Sequence, residues 1–203
     1  MDSGELRSLS ANRYYDQHFK IDAVKILPGE YFVTSDNTMI VTVLGSCVSV
    51  CLRDPETGIS GMNHFLLPSD DSSASTLVSE SARYGVYAME ILINQMLKLG
   101  ADKRRLEAKV FGGGSVLKGI SSINIGERNV EFVLDYLKAE SIPIYASDLL
   151  EDYPRKVYFF PEKGLVKVKK IKSLHNTTII DRESEYRLKI RNSNESGAVE
   201  LFD

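Results

Sequence analysis

The chain has 203 residues, 43% hydrophobic and 26% charged, with a formal net charge of −3. That size and balance describe one globular domain, with or without tails, able to bury a core without staples. They exclude a basic nucleic-acid-binding field, a membrane-spanning helix, since no apolar run approaches ~18 residues, and a disulfide framework, since the chain has only two cysteines.

Residues 1–20 are polar, with Tyr14, Tyr15 and Phe19 near the end, and read as an N-terminal arm whose aromatics dock on the domain. The first residues hold no apolar stretch of signal-peptide type, so a cytoplasmic protein with reduced thiols is expected. Residues 21–26 and 31–33 read as short strands, separated by the turn chemistry of Leu27-Pro28-Gly29-Glu30. Residues 39–44 form a near-continuous apolar run of strand type, buried on both faces.

Gly45-Ser46 interrupts that run, and residues 47–53 resume strand character. One face of this strand carries Cys47, Ser49, Cys51 and Arg53, the other Val48, Val50 and Leu52. A loop at residues 54–58 and a returning strand at 59–67 complete a hairpin. Residues 69–76 are small and polar and read as a loop.

The clearest helix spans residues 77–99, with Ala82, Val86, Met89, Ile93 and Met96/Leu97 as its buried face and Gly100 as its stop. A strand at 106–111 ends in Gly112-Gly113-Gly114, whose spacing fits neither a Walker loop nor GxGxxG. Close backbone approach to an active centre, or a tight turn, accounts for it better. Asn124 and Glu127 suit a capping box for a second helix with Val130, Val133, Leu134 and Leu137 buried. A strand at 142–145, an acidic turn or short helix at 147–152, and a hairpin at 155–160 and 165–171 follow. The lysines at 167 and 169 solvate or blunt an edge. From about residue 173 the chain is polar and reads as a tail or one loose helix. The organisation expected is therefore an arm (1–20), a domain (21–172) and a C-terminal tail (173–203), in an α+β fold with mostly antiparallel pairing.

The chemistry concentrates between residues 42 and 64. A four-residue loop at 54–57 pairs Arg53 with Gly58 and, counting back, sets Cys47 opposite His64 on one face. A one-residue slip puts Phe65 there instead. A Cys beside a His ionises more readily and attacks an acyl or amide carbon. Thr42 and Ser46 are candidates to orient the imidazole, and the Gly45-Ser46-Cys47 backbone to donate amides to an oxyanion. Cys51 reads as a small buried hydrophobe. A zinc site from Cys47, Cys51 and His64 lacks a fourth ligand, with His18 and His175 in polar flanks; no metal or cofactor is expected.

Several of these segments resemble the CheD family of chemoreceptor glutamine deamidases. They are Thr42-x-Leu44-Gly45-Ser46-Cys47-Val48, Cys51-x-Arg53-Asp54 and Asn63-His64-Phe65-x-Leu67-Pro68. Lys109-Val110-Phe111-Gly112-Gly113-Gly114, Asn124-Ile125-Gly126-x-Arg128-Asn129 and Arg155-Lys156-Val157 agree as well. The resemblance covers roughly residues 22–172 and implies a cysteine-hydrolase fold related to deamidating toxins, with packed β-sheets flanked by helices. It implies a Cys47–His64–Thr42 triad, with Ser46 as the alternative to Thr42. The implied reaction converts glutamine side chains on the cytoplasmic helices of methyl-accepting chemoreceptors to glutamate through a thioester. It further implies, in some species, a complex with a CheC-type phosphatase. A non-catalytic adaptor that binds receptors or such a phosphatase is the rival class, and a general amidase or transglutaminase-like acyl transferase a third.

Overall fold

Strand patterning and two amphipathic helices build a three-layer α+β structure, described here from a computed structural model. It describes residues 12–68, 76–115, 125–171, 181–186, 188 and 190, with backbone alone for 76–82. The strands are β1 (Arg13–Asp16), β2 (Ile21–Lys25), β3 (Tyr31–Thr34), β4 (Met39–Leu44), β5 (Val48–Arg53), β6 (Ser60–Asn63), β7 (Glu107–Gly112), β8 (Ile144–Leu149), β9 (Arg155–Phe160) and β10 (Leu165–Lys170). The helices are α1 (Thr76–Lys98) and α2 (Ile125–Ala139). One sheet runs β1-β2-β4-β9-β10 and the other β3-β6-β5-β7-β8. All pairings are antiparallel except β2 with β4 and β7 with β8.

Period-2 alternation decides which core each strand serves. On β4, Ile40 and Leu44 enter the core between the sheets, while Met39 and Val41 face outward under Phe19, Tyr158 and Phe160. On β5, Val48, Val50 and Leu52 face the helices and Cys51 faces the other sheet, which is the division of faces expected. Both strands are thus buried on both sides. The helix layer is closed by Met89, Leu92, Ile93 and Met96 of α1 and by Val130, Val133 and Leu137 of α2. Gly100 ends α1 at φ +107, a conformation open to glycine.

The structure departs from expectation in several places. Arg13–Asp16, inside the stretch read as an arm, is a sheet strand paired with β2. Val86 is exposed, and Leu92 takes the core position beside Met89. Leu134 is exposed, and Tyr136 is buried instead, its hydroxyl donating to Glu90 at 2.6 Å. Residues 147–149, read as an acidic turn or short helix, continue β8 beside β7. Of the loop expected at 69–76, Thr76 opens α1, while residues 69–75, Asn124 as a cap and Ala82 as a core side chain lie outside the described residues.

The hairpin register is the main correction. Arg53 pairs with Ser60, Leu52 with Gly61 and Cys51 with Met62, and a single bridge joins Val48 to Phe65. The connection therefore holds six residues, 54–59, and Cys47 does not stand opposite His64. Asp54 is the cause. Its side chain is fully buried, accepts from the amides of Glu56 and Asp102 at 3.0 and 2.9 Å, and pairs with Arg105 at 2.7 Å. Its backbone closes the loop on Ile59 and Gly58. A buried carboxylate needs this full set of donors, so the loop wraps around it. Arg105 holds the Asp54 carboxyl well below the usual carboxylate range, with the loop amides adding to it against burial.

Candidate active site

The candidate site lies where β4 turns into β5, under the end of β6. At this corner every carbonyl is held from outside. Gly45 O accepts from Gly114 N, Ser46 O from Asn129 Nδ2, and Cys47 O from Gly113 N, each at 2.8 Å. Asn129 is fully buried on α2 and also accepts from Leu67 N at 2.9 Å. It thereby ties the helix to both walls of the site. The glycine run makes a close backbone approach: Gly112 and Gly113 adopt φ +114 and +69, and a Cβ on Gly112 would collide with the Cys47 carbonyl.

With the carbonyls anchored on one side, the amides of Gly45, Ser46 and Cys47 converge on the other, forming an anion-binding nest. They converge on one carboxylate. Glu183 Oε1 accepts from Gly45 N at 2.9 Å and Cys47 N at 3.3 Å, and Oε2 accepts from Ser46 N at 3.2 Å and Ser46 Oγ at 2.7 Å. Residues 181–186 are helical and deliver this side chain from within the stretch read as a tail.

His64 follows β6. Its backbone is clamped to the β2–β3 turn, donating to Glu30 O at 2.9 Å and accepting from Gly29 N at 2.7 Å. Its Nδ1 lies 2.7 Å from Thr42 Oγ1. Thr42 is fully buried on the inner face of β4, between Ile40 and Leu44 on the same face, and its hydroxyl donates to Ile26 O at 2.9 Å. One hydroxyl has one proton. With that proton on Ile26 O, Thr42 Oγ1 accepts from Nδ1–H, and the network assigns the proton to Nδ1. Nε2 is left with a lone pair, and it is a buried nitrogen without a hydrogen-bond partner among the described residues. Burial pushes His64 down from 6.5 to about 4, Glu183 and the Ile26 backbone opposing the shift, so the ring is neutral at neutral pH.

Of the expected residues, Thr42 and His64 are brought into direct contact, the Cys47 amide donates to Glu183, and His64 lines a cavity together with Glu183. Ser46 does not reach the imidazole; its hydroxyl is turned to Glu183. Cys51 lies apart, 2% exposed in the core between the sheets, its thiol pushed up by burial against the pull of Lys109. Among the described residues no three His, Cys, Asp or Glu side chains cluster as metal ligands, and no helix is long and apolar enough to cross a membrane.

Comparison with known proteins bears on the family of the whole chain. The family model described as CheD chemotactic sensory transduction matches residues 66–170. A Shewanella oneidensis protein named probable chemoreceptor glutamine deamidase CheD 1 is 70% identical over 191 residues, covering 94% of this chain and 93% of its own. The chain belongs to the CheD family. Similarly named CheD proteins of Dechloromonas aromatica and Thiobacillus denitrificans are 55% and 52% identical, covering 96% and 100% of both partners. Of two further residues at this candidate site, Asn129 entered the sequence reading only within a segment resembling the family, and Glu183 escaped it. Asn129 interrupts the apolar stripe of α2 one position before Val130, a buried amide that pattern analysis can flag. Glu183 carries a weaker signal, a stripe with Tyr186 and Ile190 at three and seven residues.

Proposed function

We propose that this chain is a protein-glutamine deamidase that hydrolyses glutamine side-chain amides of chemoreceptors to glutamate, working in the cytoplasm as part of chemotaxis. The carrying observation is the buried Thr42–His64 pair, with its unpartnered Nε2, beside a three-amide nest that ends at Cys47. The names of its CheD relatives supply the substrate class.

In this reading Cys47 is the nucleophile, His64 the base and then the acid, and Thr42 the residue that orients the ring. Neutral His64 takes the Cys47 proton on Nε2 as the sulfur attacks the glutamine Cδ. The nest amides stabilise the oxyanion that forms. The C–N bond breaks, the imidazolium gives its proton to departing ammonia, and a thioester remains. Water, deprotonated by His64, hydrolyses the thioester to glutamate and frees Cys47. These steps need no metal or cofactor.

The test is incubation with a glutamine-containing chemoreceptor fragment, following ammonia and Gln→Glu conversion by mass. Turnover that disappears in Cys47→Ala and His64→Ala supports the reading. Binding of the fragment without turnover by the wild-type chain would make it an adaptor instead. Co-purification with a CheC-type phosphatase tests the remaining partner expectation.

A further inference from the structure

The nest that the proposed reaction needs for an oxyanion already holds a carboxylate from the same chain. Glu183 lies 136 to 138 residues along the chain from the amides it binds and is 2% exposed. It makes four hydrogen bonds there, all to Gly45, Ser46 and Cys47. Glu183 also lines the cavity that His64 lines. Tyr186, one turn later, meets the hydroxyl of Tyr84 on α1 and covers Gly29, where a Cβ would strike its ring. Ile190, another turn on, is 5% exposed. Three positions on one helical face thus seat the segment. Beneath it Cys47 is fully buried and His64 is 2% exposed, closed to a protein substrate.

We infer that the segment carrying Glu183, Tyr186 and Ile190 is a tethered product mimic. The glutamate side chain of Glu183 sits in the subsite where a substrate's glutamine is bound and its glutamate is made, and the segment must withdraw before a receptor can enter. This rests on the deamidase reading, because the product of that reaction is a glutamate side chain. Two observations join in it: the chemistry of the occupant matches the product, and the occupant contacts the corner that carries the nucleophile. A helical occupant further defines the groove as one that accepts a glutamine carried on a helix, with apolar side chains three and seven residues later.

The experiment uses the full chain and two readouts. Cys47 alkylation by iodoacetamide, located by peptide mass, reports opening of the site without any substrate. Turnover of the receptor fragment reports competition. Glu183→Ala is expected to alkylate at Cys47 about tenfold faster than wild type and to lower KM with little change in kcat, as removal of an intramolecular competitor does. Glu185→Ala, which alters an exposed neighbour on the same segment, is expected to alkylate at the wild-type rate.

Glu183→Gln keeps the side chain's shape and guards against a folding defect in the alanine variant. It places an amide in the subsite, and Cys47 is expected to convert that amide to a carboxylate, releasing ammonia and consuming one water. The double variant with Cys47→Ala retains the amide. Unchanged alkylation in Glu183→Ala, together with an amide that persists in Glu183→Gln, in a protein that turns over receptor fragment would overturn the inference and leave the deamidase reading standing. Faster alkylation in Glu183→Ala without receptor turnover by any variant would uphold the segment as a cap and sink the deamidase reading.

Discussion

At the scale of single residues, the site turns on where one proton sits. Thr42 donates to Ile26 O and so accepts from His64 Nδ1. Thr42→Val removes that acceptor while keeping the shape, and is expected to lower kcat on the order of 10²-fold with KM little changed. Thr42→Ser should recover most of the loss, an outcome that a purely packing role does not produce. His64 also couples folding to pH. Its folded value, about 4, lies below its ordinary 6.5, so below pH 6.5 the unfolded chain binds the extra proton first. The stability contributed by neutral His64 is complete above that value and falls as the pH drops through 6.5 toward 4. Urea unfolding of the wild type should lose about 2 kcal/mol from this source between neutral pH and about pH 5. In His64→Gln that increment should be missing.

At the scale of elements, short connections hold the site and its supports in register. Asn129 bonds Ser46 O and Leu67 N, so Asn129→Ala leaves both buried groups unpaired. A loss of about 2–4 kcal/mol in urea unfolding is expected, together with lower activity because the nest is no longer anchored. At the other end of β5, Asp54 sets the hairpin connection and hence where β6 delivers His64. Asp54→Ala leaves the amides of Glu56 and Asp102 without their acceptor and Arg105 with only its contacts to Glu56 and Asp102, and should cost about 2–4 kcal/mol by the same measurement. The arm and hairpin readings illustrate one limit: a strand pattern marks a strand, while its register belongs to whatever closes the loop.

At the scale of the whole molecule, the two sheets and the helix layer place three remote pieces around one corner: β4–β5, the glycine run at the end of β7, and the segment carrying Glu183. If the last piece is a removable cap, its loss should free the nest without loosening the sheets. Hydrogen exchange of Glu183→Ala is expected to accelerate at the amides of Gly45, Ser46 and Cys47 and to stay unchanged at the β4–β9 ladder. Acceleration throughout both sheets would instead mark Glu183 as an ordinary part of the core.

Much of this protein was legible in its sequence because it depends on neighbours in the chain. A near-continuous apolar run marked β4 as doubly buried, alternation separated the two faces of β5, and helical spacing marked Met89, Ile93, Val130, Val133 and Leu137 as core. Thr42 stood beside Ser46 as a candidate hydroxyl, and only the family resemblance put it first. The remainder required the folded chain. A loop of six residues in place of four moved Cys47 out of register with His64, because a buried Asp54 finds its partner in Arg105, 51 residues away. The choice of Thr42 over Ser46 followed from which hydroxyl reaches Nδ1. The occupant of the nest lies more than a hundred residues from it in the chain. Local propensity carries no information about such partners, since burial, ion pairing and hydrogen-bond satisfaction are decided only when distant segments share one interior.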